Sequence, residues 1–218
     1  MRNKQIAIVG LTLLVALTGC SGLAGLSGGP MTFTAHKATV GQQTLSQTHF
    51  QTYDVQRKNV TKTFKAAGQS KKVTAVNWIA IYDQRLGLNT SASTRVAAFS
   101  VVSTPQANVL GKSFNPIANY DNTQLVELFQ KNYGNIQDLR SQGNYTTTML
   151  GHQTKVEEFS AKAAYKGHSA DVYIHVTRVK DNGDFVLALA VYPQSMDSVE
   201  AGNVKSLIAG VQHGNASS

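Results

Sequence analysis

Apolar side chains recur along this chain in two rhythms, and the period-two rhythm prevails. Alternation predicts strands over Val60–Ala67 and Lys71–Tyr82, joined by a turn at Gly68-Gln69-Ser70, and over Arg95–Ser103, which Pro105 stops. It returns over Tyr145–Leu150, Lys155–Tyr165, Ser169–Lys180 and Phe185–Tyr192. The last three are separated by Lys166-Gly167-His168 and Asp181-Asn182-Gly183-Asp184, and Asn-Gly suits the positive φ of a tight hairpin, so they form a predicted meander. Phe185–Val191 is apolar at odd and even positions alike, which makes it a central strand covered on both faces. Ser169–Thr177 instead puts Ala170, Val172, Ile174 and Val176 on one face and Asp171, Tyr173, His175 and Thr177 on the other, turned to water or to a site.

Helical spacing is rarer. Asp121 or Asn122 caps a helix over Thr123–Tyr133, with Leu125, Leu128 and Phe129 on one side and Gly134 as its stop. Asp197 or Ser198 caps a second over Ser198–Val211, with Val199, Val204, Leu207 and Ile208 inward; Val40–Thr48 is a weaker third. The expected class is α+β, a mainly antiparallel sheet with helices packed on it.

The first nineteen residues follow another logic. Arg2 and Lys4 precede an apolar run from Ile6 to Leu17, the order and length of a signal peptide. The run is shorter than the roughly 20 apolar residues a spanning helix needs, and it ends in Leu17-Thr18-Gly19-Cys20, a lipobox pattern. Residues 1–19 are thus expected to be removed and Cys20 to carry lipid on its thiol, at the outer face of the cytoplasmic membrane. An ordinary signal peptide or an uncleaved anchor, with an incidental cysteine, is the alternative. Residues 20–30 are rich in Gly and Ser and read as a tether, 31–213 as one domain and 214–218 as a polar tail. Cys20 is the sole cysteine, so the domain has neither a disulfide nor a thiolate metal site.

Charge adds one possibility. Without Arg2 and Lys4, 18 basic side chains face 12 acidic ones, a net charge of +6. Arg57, Lys58, Lys62, Lys65, Lys71 and Lys72 follow one another with no acid among them. Such a run suits anionic headgroups at about 1 kcal/mol per charge, or a strand edge guarded by lysines against pairing with another chain. It lacks interleaved aromatics, which argues against nucleic acid.

Several short motifs reinforce one another as a set. Val73-Thr74-Ala75-Val76-Asn77-Trp78 leads to Tyr82; Ser103-Thr104-Pro105 leads to Val109-Leu110-Gly111-Lys112-Ser113-Phe114-Asn115-Pro116; Met149-Leu150-Gly151, Val191-Tyr192-Pro193 and His213 follow. In order and spacing the chain resembles an uncharacterised family of haloarchaeal exported lipoproteins, a domain of unknown function. Its second half is similar in layout to the PsbP/Mog1-like α/β/α sandwich. The resemblance implies an envelope protein with an adaptor or assembly role and supplies no catalytic residues.

Candidate chemistry is sparse. Gly25-Leu26-Ser27-Gly28-Gly29 fits the nucleophile-elbow pattern but sits in the tether with no strand before it. Gly111-Lys112-Ser113 lacks the earlier glycine of a phosphate loop, Gln106 standing in its place. The six histidines do not cluster by spacing: His168 and His175 point to opposite faces, and Asp171 lies ~13 Å along the strand from His175. Glu157 and Glu158 also face apart, and Trp78 reads as a core anchor. Asn59, Asn89, Asn144 and Asn215 head glycosylation sequons. The expectation is a lipid-anchored, non-enzymatic binding or assembly module of the envelope with no cofactor or metal. The alternative is a lipoprotein that binds a small ligand or ion on the Asp171/Tyr173/His175/Thr177 face.

Overall fold

The alternating segments do form strands, and several run well past the apolar pattern that marks them. A computed structural model describes residues 29–66, 69–86, 94–109, 112–113, 115, 117, 120–133, 135–165 and 168–214. The export segment 1–19, Cys20 with most of the tether, the sequon residues Asn89 and Asn215, and the tail from 215 onward lie outside the described residues.

In chain order the elements are β1 (Met31–Thr34), β2 (Ala38–Val40), α1 (Gln42–Thr48), β3 (Gln51–Ala66), β4 (Gln69–Leu86), β5 (Thr94–Pro105), β6 (Asn108–Val109) and β7 (Lys112–Ser113). They continue with α2 (Asn122–Tyr133), β8 (Asn135–Met149), β9 (His152–Tyr165), β10 (His168–Asp181), β11 (Asp184–Pro193), α3 (Asp197–Ala209) and β12 (Val211–His213). Eight strands make one sheet in the order β1-β4-β5-β11-β10-β9-β8, with β3 added on β4; β12-β2 and β6-β7 form two small ribbons. β1 runs parallel to β4 and every other pairing in the large sheet is antiparallel.

The α+β expectation is therefore corrected: this is a mostly β protein built on a large mixed sheet, with few helices. The excess strand comes from mostly polar segments. Gln51-Thr52-Tyr53-Asp54 belongs to β3 and Asn135–Asn144 to β8, and both strands lie at edges of the sheet. Backbone pairing with β4 and β9 holds one side of each strand, and in β8 Ile136 and Leu139 add apolar contact.

Two apolar clusters lie on opposite faces of β11. Val186, Ala188, Ala190 and Tyr192 pack with Tyr82, Phe99 and Val101 of the neighbouring strands and with Val204, Leu207 and Ile208 of α3. Leu187 and Leu189 pack with Val172, Ile174 and Val176 of β10 and with Leu125 and Val126 of α2. Alternation is what allows one strand to feed both clusters.

Local chemistry explains the joints. Asp121 and Gln124 cap α2 reciprocally: Gln124 N–H donates to Asp121 Oδ1 at 2.8 Å and Asp121 N–H to Gln124 Oε1 at 2.9 Å. Asn182 and Gly183, with φ of 47° and 83°, turn β10 into β11 as the Asn-Gly pair predicts. α3 departs from expectation. It has no side-chain cap, because Met196 stands at the N-cap position; the Asp197 carboxylate, one residue on, accepts from Tyr192 Oη at 2.8 Å.

Candidate functional site

The four side chains singled out on β10 do not share one open face. Asp171 is exposed and Tyr173 half-buried, whereas His175 and Thr177 are buried. Asp171 lies on a shallow depression of about 230 Å³ shared with Asp138, Arg140, Ser160, Lys162 and Gln194. Thr177 donates to the Lys155 carbonyl at 2.9 Å and meets Thr154 Oγ1 at 2.7 Å, so it helps hold β9 to β10.

His175 sits in a chain of polar groups. Tyr192 donates to Asp197, so it accepts from His175 Nε2 at 2.8 Å; His175 Nδ1 then accepts from Tyr145 Oη at 3.3 Å. In a neutral imidazole, donation to Tyr192 puts the one proton on Nε2 and leaves Nδ1 to accept from Tyr145. Burial pushes the His175 pKa down to about 4; Asp197 opposes that shift and Lys205 adds to it. Glu158, directly across the strand pair, has a carboxylate oxygen 3.7 Å from Nε2, too distant to hold a proton there. Burial, with Asp197 nearby, raises the Glu158 pKa. The Tyr145 and Tyr192 phenols are pushed up too, chiefly by burial.

A second polar centre joins residues from five segments. His36 lies in the β1–β2 connection, Ser103 on β5, Asp181 and Asp184 on either side of the Asn182-Gly183 turn, and His213 on β12. Pairing of β12 with β2 sets His213 opposite Ala38, and Gly214 N–H donates to the Lys37 carbonyl at 3.1 Å. Gln106 N–H donates to the Gly183 carbonyl at 3.0 Å and fixes the turn against the end of β5.

Asp184 Oδ2 is the hub of this centre. It accepts the His36 N–H at 2.7 Å and lies 2.9 Å from His36 Nδ1 and 3.1 Å from His213 Nε2. His213 Nδ1 is 2.7 Å from Asp181 Oδ2, and Ser103 Oγ is 3.1 Å from His213 Nε2. His152 Nε2 stands 3.5 Å from the other Asp181 oxygen. The hydrogen bond from His213, foremost, holds the Asp181 carboxyl below its usual range. The His213 side chain is fully buried and that of Asp184 is 5 % exposed, while His36 is 56 % exposed and gives the centre one open side.

Ser103, His213 and Asp181 stand in the order of a hydrolytic triad, but the arrangement cannot work as one. Ser103 is 0 % exposed, so no acyl group reaches it. The Asp184 carboxylate also occupies the Nε2 side of His213, where a catalytic base must be open to the serine proton.

The other predicted positions are quickly placed. Across the β3–β4 hairpin, Arg57 and Lys72 stand on one face and Lys58, Lys62 and Lys71 on the other, with Lys71 buried. Trp78 is half-buried rather than a core anchor, with Lys37 Nζ and the Arg57 guanidinium 5.5 and 5.0 Å from its ring. Asn59 and Asn144 are exposed on β3 and β8. Spacing missed the second centre because its members are spread from position 36 to 213. The one local signal was the Asp-Asn-Gly-Asp turn, which puts two carboxylates at one hairpin end.

A family model described as "Domain of unknown function (DUF6517)" matches residues 37–212. No curated protein matches the sequence. Among solved structures, the chain is similar to cyanobacterial PsbP from Synechocystis sp. PCC 6803, at 10% identity and a TM-score of 0.39, over 90% of this chain and 98% of that one. It is also similar to LpqN, involved in cell envelope biogenesis of Mycobacterium tuberculosis, at 7% identity and a TM-score of 0.33, over 80% and 97%. A Pseudomonas aeruginosa protein of unknown function, PA94, aligns at 11% identity and a TM-score of 0.32, over 65% and 90%. These likenesses are loose and carry no function to this chain. Among the described residues no helix is long and apolar enough to cross a membrane.

Proposed function

We propose that this chain, which belongs to the DUF6517 family of domains of unknown function, is an exported, lipid-anchored binding module of the cell envelope rather than an enzyme. The observation that carries the reading is the apolar run ending in Leu17-Thr18-Gly19-Cys20, ahead of a Gly/Ser-rich stretch and the folded domain. Burial of Ser103 and His213 in one centre and of His175 in the other supports a non-catalytic role, since a nucleophile or base must reach its substrate. The basic side chains of the β3–β4 hairpin stand on both of its faces. That arrangement suits a guarded sheet edge better than a flat contact with anionic headgroups, so membrane attachment rests mainly on Cys20.

The alternative, capture of a small ligand or ion on the Asp171–Thr177 face, keeps only Asp171 at the surface and half of Tyr173. The depression beside Asp171 is where such a ligand would sit.

The test is the Cys20→Ser variant expressed in a host with its own lipoprotein processing. The unmodified sequence should fractionate with membranes and gain the mass of its lipid, whereas the variant should appear in the exported soluble fraction. Any variant left on anionic vesicles should wash off with salt if the hairpin lysines hold it. A variant that stays membrane-bound through a salt wash with unchanged mass overturns the anchor.

A further inference from the structure

The centre around Asp184 poses a charge problem. The 2.7 Å contact to Asp181 places a proton on His213 Nδ1. A neutral ring then turns its Nε2 lone pair toward the Asp184 carboxylate, 3.1 Å away, where two acceptors repel. A proton on Nε2, or a metal ion between them, relieves that repulsion. A proton on His213 would already satisfy both aspartates and would not require a second imidazole. Yet His36 Nδ1 is also aimed at the same oxygen from 2.9 Å, and the three ligand atoms lie within 4.8 Å of one another.

From this convergence we infer that His36 Nδ1, Asp184 Oδ2 and His213 Nε2 form a binding site for one divalent transition-metal ion, for which zinc is the best match. Zinc bonds of about 2.0–2.1 Å put tetrahedral ligand atoms roughly 3.3–3.4 Å apart. The 2.9 Å between His36 and Asp184 needs to widen by a few tenths of an ångström, which the exposed His36 ring can supply, and the 3.1 Å between Asp184 and His213 by less. Two imidazoles and one carboxylate favour zinc or a similar ion over calcium or magnesium, which take oxygen ligands. Asp181 completes the pattern: a carboxylate that accepts from the far nitrogen of a ligating histidine fixes its tautomer and raises its basicity. Through its contact with Asp181, His152 steadies that carboxylate in turn. The fourth position falls to Ser103 Oγ or to water on the exposed His36 side.

The ion would join the β1–β2 connection to β12, positions 36 and 213, across most of the folded chain. A sequence whose sole cysteine is Cys20 has no disulfide with which to close so long a loop, and a metal clip performs the same closure.

The experiment uses the full chain in detergent, stripped with a chelator and titrated with zinc chloride by calorimetry near pH 7.5. One zinc per chain is expected, with binding that weakens in acid because zinc needs deprotonated ligands. His36→Ala, at an exposed loop position whose backbone N–H bond to Asp184 is kept, should abolish stoichiometric binding. Asp181→Asn should weaken it about 10–100-fold. His49→Ala, outside the cluster, should bind as the unsubstituted chain does, and magnesium chloride should give no heat of binding. Cys20→Ser should bind zinc unchanged, so this site and the lipid anchor can fail separately. Absence of stoichiometric binding, or binding by His36→Ala equal to that of the unsubstituted chain, overturns the site.

Discussion

Acid should weaken this protein through His175, and the geometry gives both the sign and the size. The ring is buried between Tyr145 of β8 and Tyr192 of β11, with Glu158 of β9 and with Asp197 and Lys205 of α3 as the charged groups facing it. Its pKa of about 4 in the fold compares with about 6.5 in an unfolded chain. Between those values the unfolded state binds a proton that the folded state refuses, so stability falls as pH falls. The slope approaches about 1.4 kcal/mol per pH unit, roughly 3 kcal/mol in total by pH 4. Glu158, whose pKa is raised, acts in the opposite direction, so a single pH curve mixes the two. The informative quantity is the difference from His175→Gln, whose amide can still donate to Tyr192 and accept from Tyr145 without titrating. Urea unfolding followed by fluorescence of Trp78, the single tryptophan, should be run in steps from pH 7.5 to 4. The stability advantage of the unsubstituted chain over the variant should shrink by roughly 3 kcal/mol across that range. A difference that stays constant with pH refutes the buried neutral imidazole.

Two further predictions rest on packing. Asp83 is fully buried, and its Oδ2 takes Arg85 Nε at 3.1 Å and Arg95 Nε at 3.0 Å. Asp83→Ala leaves two guanidiniums that can reach water and should cost about 1–3 kcal/mol in urea unfolding, whereas the Arg85→Ala/Arg95→Ala double variant leaves a buried carboxylate with no cation and the Gln51 amide at 3.3 Å, and should cost about 3–5; the reverse order would refute this account. A Cβ added at Gly210 would stand 2.4 Å from Thr44 Oγ1 and 2.8 Å from Thr44 Cβ, where α3 ends against α1. Gly210→Ala should therefore lose about 1–3 kcal/mol, and a double-mutant cycle with Thr44→Gly should show coupling of at least about 1 kcal/mol; additive losses would place the strain elsewhere.

Alternation along the chain located the strands that feed the core, because it is a local property and burial enforces it. The sequence marked β11 as buried on both faces, Asp121 or Asn122 as the cap of α2 and Asn182-Gly183 as a tight turn, each readable within a few residues; the structure assigns the cap to Asp121. The balance of the fold was not readable. The polar stretches that extend β3 and β8 are held by backbone pairing with β4 and β9, and a hydrogen-bond ladder leaves no imprint on side-chain pattern. Period two put Asp171, Tyr173, His175 and Thr177 on one face, as the pattern predicts, but α3 covers part of that face and leaves Asp171 outside. The same holds for the second centre. His36, Ser103, Asp181, Asp184 and His213 meet only because β2 pairs with β12 and the β10–β11 turn closes against the end of β5. Charges far apart in sequence become neighbours through long-range pairing, so tertiary structure alone decided that one carboxylate oxygen should face two imidazoles.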